Sequence, residues 1–64
     1  MKAILNNEKL ISQMKKNSIT KNELLEKCKL SAADYYLISN NLPIKLMKII
    51  KISRFLKINL YQII

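Results

Sequence analysis

The sequence predicts an all-α domain, a compact arrangement of five short helices around a central helix pair. Two observations carry this expectation. The 64-residue chain has no glycine and a single proline, so the residues that most often punctuate strands and turns are nearly absent. Its apolar residues recur at three- and four-residue spacing, the period of a helix with one buried face.

Each element follows in order. A first helix from about Asn7 to Lys16 puts Leu10, Ile11 and Met14 on one face, and the polar "KKNS" ends it. Thr20 stands as N-cap of a second helix with Glu23 three residues later, the spacing of a capping box. Leu24, Leu25 and Cys28 supply its buried face. Ser31 caps a third helix, "AADYYLIS", with Tyr35 and Ile38 turned inward, and "NNLP" forms the next connection. A fourth helix runs from Lys45 to about Leu56, and Asn59 caps a last turn, "LYQII". The expected core is Leu10, Ile11, Met14, Ile19, Leu24, Cys28, Leu30, Ile38, Ile49 and Leu56. On the fourth helix Lys48, Lys51 and Arg54 lie opposite the apolar arc, first of all as a solvated face.

Length and composition bound the rest. Residues 1–64 permit one domain, and a chain this short buries only about 60% of the surface its unfolded form exposes. Cys28 is the only cysteine and there is no histidine, which excludes an internal disulfide and a Cys/His zinc site. Cys28 also falls at a periodic apolar position, where it reads as a small buried hydrophobe. With one cysteine, no histidine and four scattered acids, no acid/base pair or metal site assembles, so an enzyme is not expected and no cofactor is implied. No apolar run approaches a membrane span, and the apolar stretch of "MKAILNNEKL" is too short for a signal peptide, so the expected location is the cytoplasm.

Charge points to the partner. Twelve Lys/Arg against four Asp/Glu give +8, a field that attracts polyanions. No acidic residue follows Asp34, so Lys45, Lys48, Lys51, Arg54 and Lys57 are unopposed by any carboxylate side chain in the second half. Nucleic acid is the first partner this suggests, with a merely solubilising surface as the alternative.

Ile19-Thr20, Glu23-Leu24, Leu30-Ser31, Ile38 and the ending Leu56-Lys57-Ile58-Asn59-Leu60 with Ile63-Ile64 occur in an order and spacing that resemble a known family. The chain from about Asn7 to Ile64 is similar to the DNA-binding domain of phage repressors and Cro-type regulators, the Xre family. That resemblance implies a lambda-repressor-like five-helix domain with a helix-turn-helix at about residues 20–39. Two departures stand out. Lys29 occupies the turn position where the family usually carries glycine. The exposed positions of the third helix are Ala32, Ala33, Asp34, Tyr36 and Leu37, where the family commonly has Arg, Gln, Ser, Thr or Lys, so bidentate Arg–guanine or Gln–adenine readout is not provided.

The resemblance places the third helix in the major groove of double-stranded DNA, with Ser31, Ala32, Ala33, Asp34 and Tyr36 facing the bases. There Ser31 can donate or accept, the alanines can touch thymine methyls, and Asp34 can accept from a cytosine amino group. An acid in the first turn of a helix more commonly meets the positive end of its dipole, which is the second reading of Asp34. Lys21, Asn22, Asn40, Asn41 and Lys45 are the implied phosphate contacts; each also reads as an ordinary turn or surface residue. Phe55, Tyr61, Ile63 and Ile64 exceed what a small core holds, and in the resembling regulators a two-fold homodimer forms through this end. The alternative is that Tyr61 and Ile63 cover the first helix.

The leading expectation is therefore a sequence-specific DNA-binding transcriptional regulator, a small repressor that binds a palindromic operator as a homodimer. The runner-up is a helix-turn-helix protein acting mainly through a regulatory protein partner, such as an antirepressor or an antitoxin-like inhibitor. A membrane-active cationic amphipath ranks third, because the capping signals describe a folded globule.

Overall fold

The computed structural model describes residues 1–64 and corrects the all-α expectation at the chain's beginning. Lys2–Ile4 is a strand, β1, paired antiparallel with a second strand, β2, Pro43–Lys45. Between them lie α1 (Asn7–Lys16), α2 (Lys21–Lys27) and α3 (Ala32–Ser39), and after β2 come α4 (Leu46–Leu56) and a single 3₁₀ turn, Leu60–Gln62. The fold is α+β: four α-helices and a two-stranded sheet, not five helices. The expected fifth helix is only that 3₁₀ turn, and α4 begins one residue later than expected.

Alternation explains the strands. Ala3 and Ile44 face each other toward the core, while Lys2 opposite Lys45 and Ile4 opposite Pro43 face outward. Pro43 stands at the first strand position, where a missing N–H costs the ladder least. The sheet also starts α4. Lys45 makes no side-chain cap, and the first amide of the helix, Leu46 N–H, donates instead to the Met1 carbonyl at 3.0 Å. An orphan donor that would normally be met by a Ser or Asp side chain is thus satisfied by the residue just ahead of β1.

The other helix starts are local. Thr20 and Glu23 exchange the two hydrogen bonds of a capping box at the head of α2, as do Ser31 and Asp34 at α3; at the 3₁₀ turn Asn59 Oδ1 accepts from Tyr61 N–H and Gln62 Oε1 from Asn59 N–H. Asn6 caps α1 by accepting from Lys9 N–H at 3.1 Å.

All four α-helices stop in the same way, without glycine. Ser18, Lys29, Asn41 and Lys57 have φ of 55°, 54°, 53° and 56°. At each stop the residue after the left-handed one donates back across the last turn: Ile19 to Met14, Leu30 to Leu25, Leu42 to Leu37 and Ile58 to Ser53, at 2.8–3.0 Å. These are Schellman motifs, each followed by an apolar residue. Left-handed backbone costs a non-glycine residue about 1–2 kcal/mol, so the satisfied carbonyls and the apolar contacts offset a recurring strain.

The core is Leu5, Leu10, Met14, Leu24, Cys28, Leu30, Ile38, Ile44, Ile49, Ile52, Leu56 and Ile63. Ile11, expected inside, is exposed on the outer side of α1, and Ile19 and Tyr35 are only half-buried. Leu5, Ile44 and Ile63 fill the interior from outside the helical pattern. The chain ends meet there: Asn6 N–H donates to the Ile63 carbonyl at 2.7 Å. No helix is long and apolar enough to cross a membrane.

Candidate nucleic-acid interface

α2 and α3 are joined by three residues, Cys28 to Leu30, before the Ser31 cap. Ser31, Ala32, Ala33 and Tyr36 are exposed, with Tyr36 63% accessible. At about 100° per residue, positions 32, 33 and 36 share one arc of α3. Two alanines at the head of this face let a partner approach the helix backbone closely.

Asp34 does not belong to that face. It is 8% exposed, and both carboxylate oxygens are engaged within the protein. Oδ2 accepts from the Ser31 backbone N–H at 3.0 Å and Oδ1 from Lys48 Nζ at 2.6 Å. The Lys48 ammonium first, and the Ser31 amide second, hold the carboxyl below its ordinary range against the opposing effect of burial. The base-facing role expected of Asp34 is corrected to a cap that also ties α3 to α4. The reason lies in register: the third helical position of a capping box turns back over the N-terminus, and there it meets the outer side of α4.

All five expected phosphate contacts, Lys21, Asn22, Asn40, Asn41 and Lys45, are exposed. Lys21 Nζ lies 4.5 Å from the centroid of the Tyr35 ring, a cation–π contact that steadies the lysine at the head of α2 beside α3. This also explains why Tyr35 is not fully buried: one face of its ring carries a cation. Asn40 and Asn41 serve the fold first. Asn40 Nδ2 donates to the Tyr36 carbonyl at 2.8 Å, and Asn41 Oδ1 accepts from Asn7 N–H at 2.9 Å, tying the end of α3 to the start of α1. Asn41 also adopts the left-handed conformation that asparagine tolerates better than most residues.

The sheet brings in a residue the sequence reading missed. Lys2 is paired directly across from Lys45, and like charges in that position repel. Both line a shallow hollow of about 130 Å³ together with Lys48 and Asp34 at the first turn of α3. Three cations and one acid thus border the base of α3. Only the strand pairing marks Lys2 out from the other lysines.

The expected dimer residues separate. Ile63 is fully buried and so not free for a partner, while Phe55 is half-buried against the core. Tyr61 (76%) and Ile64 (36%) remain exposed, and the Ile64 carbonyl accepts from Lys9 Nζ at 3.0 Å. The C-terminus is folded back on the start of α1, the alternative left open for Ile63.

Comparison with family models, with characterised proteins and with solved structures finds no match to this chain.

Proposed function

We propose that the chain is a sequence-specific DNA-binding transcriptional regulator, a small repressor that uses α2 and α3 as a helix-turn-helix. The observation that carries this reading is the exposed face Ser31, Ala32, Ala33 and Tyr36 with cations around it and its single acid, Asp34, withdrawn and paired to Lys48. α3 enters the major groove of double-stranded DNA. Lys21, Asn22, Lys45 and Lys2 take backbone phosphates, while Ala32 and Ala33 meet thymine methyl groups and Ser31 and Tyr36 add polar contacts. A phosphate bound between Lys2 and Lys45 answers both of these paired charges. Two copies read a palindrome, with half-sites about 34 Å apart, and the contact between them falls to Tyr61 and Ile64.

Selection from a random pool of duplexes tests the reading. A palindrome should be enriched. Lys21→Ala should weaken binding to all sequences alike and flatten the salt slope by about one unit. Tyr36→Ala should change which sequences bind. If both variants bind every duplex like the parent, α3 is not the docking face.

One observation favours the second reading, a helix-turn-helix acting through a protein partner: no exposed residue of α3 is Arg, Lys, Gln or Asn. In that case the pool shows no enrichment and only weak, salt-sensitive binding.

A further inference from the structure

The two hollows on the surface differ in how their charge is answered. Beside the sheet, Lys48 meets Asp34 in the one ion pair of the protein. The larger hollow, about 300 Å³, lies between the C-terminal end of α2 and α4 and is lined by Lys27, Cys28, Lys29, Lys51 and Arg54. It gathers four cations and no carboxylate. Lys48, Lys51 and Arg54 recur at every third position of α4, so one row of cations leads from the acid of α3 into this hollow.

Its construction is fixed by the fold. Lys29 is the left-handed residue of the Schellman stop of α2, with φ 54°, and its N–H donates to the Glu26 carbonyl. A lysine in this strained position adds charge where a glycine would relax the backbone. Cys28 forms a buried part of the lining, and burial pushes its thiol up, with Lys51 opposing this only in part. The thiol therefore stays neutral and contributes no counter-charge.

Four cations line this hollow with no carboxylate among them, and an anion seated there answers their mutual repulsion. A duplex backbone carries single charges spread along a convex surface, which suits scattered exposed lysines such as Lys21 and Lys45. A chain of condensed phosphates concentrates several charges in a volume of the size found here.

We propose that the hollow formed by Lys27, Lys29, Lys51 and Arg54 binds a compact polyanion of the condensed-phosphate class, an inorganic oligophosphate or the phosphate tail of a nucleotide. The site is separate from the exposed face of α3, and it stands whether or not α3 reads DNA. Calorimetric titration of the whole chain with inorganic tripolyphosphate and with a nucleoside triphosphate, at about 0.1 M salt to screen bulk charge, tests it. One tripolyphosphate should bind per chain. Lys51→Ala with Arg54→Ala should weaken it about tenfold or more. Lys15→Ala with Lys16→Ala, which removes the same charge at the end of α1, should change it by less than about twofold. A nucleoside triphosphate that depends on the same two residues assigns a nucleotide source, and one that does not bind assigns the inorganic chain. Amide resonances of residues 28–30 should shift on titration of the parent protein, a readout that needs no variant. Equal losses in the two double variants, no binding of tripolyphosphate, or its complete displacement by a short DNA duplex would each overturn the proposal.

Discussion

Asp34 offers the sharpest test of how this domain is built, because its carboxylate joins a helix cap to an interhelical ion pair. In Asp34→Ala the Ser31 amide loses its acceptor, at a cost of about 1 kcal/mol for half a capping box. Lys48 loses its partner as well; with its side chain 32% exposed, solvent screening limits that contribution to about 0.5–1 kcal/mol. The sum, about 1.5–2 kcal/mol, is a large share of the roughly 3–10 kcal/mol available to a domain of this size. It should lower Tm by about 6–16 °C in a thermal melt followed by circular dichroism. Asp34→Asn keeps an acceptor for Ser31 and loses only the charge, so its Tm should fall about half as far or less. The sign with pH follows from the depressed carboxyl. The carboxylate's contribution is complete above the unfolded value near pH 4, with the approximate value taken from model peptides, and it is lost as pH falls through the lower folded value. Parent and Asp34→Asn melts should therefore converge in acid. If Asp34 instead faced DNA, Asp34→Ala would melt like the parent at neutral pH and select different bases. That pair of results would refute the assignment.

The remaining predictions concern the backbone stops and the C-terminus. Lys29→Gly should stabilise the chain by about 0.5–1 kcal/mol, since relief of left-handed strain exceeds the added unfolded-state entropy; urea titration should show a raised midpoint, and an unchanged or lowered one contradicts the strain argument. Ile63→Ala should destabilise the fold of each chain by about 2–4 kcal/mol through a core cavity, measured by urea unfolding at several protein concentrations. Loss that appears only as concentration falls would return Ile63 to a dimer interface.

The features legible in the order of residues are local ones. Thr20 with Glu23, Ser31 ahead of the third helix, and Asn59 ahead of the final turn mark starts because a cap acts over three residues of chain, a distance the order of residues specifies directly. The period of Leu10 and Met14, of Leu24 and Cys28, and of Ile49 and Leu56 marks buried faces for the same reason. The exposed face at Ala32, Ala33 and Tyr36 follows once Ser31 is the cap. Tertiary structure decided what distant segments do together. A three-residue strand has no stability of its own, so Lys2–Ile4 and Pro43–Lys45 become strands only because the folded helices bring residues some forty positions apart into register. The same closure buries Ile63 against the start of the chain, sets Lys2 beside Lys45, and turns Asp34 from an apparent base contact into the partner of Lys48. Nor do residue types reveal that Ser18 and Lys57 are left-handed stops, because serine and lysine are compatible with many conformations and only the Schellman hydrogen bonds and packing of the folded chain hold them there. The gathering of Lys27 and Lys29 with Lys51 and Arg54 is likewise invisible in the chain order, since it depends on α4 packing beside the end of α2.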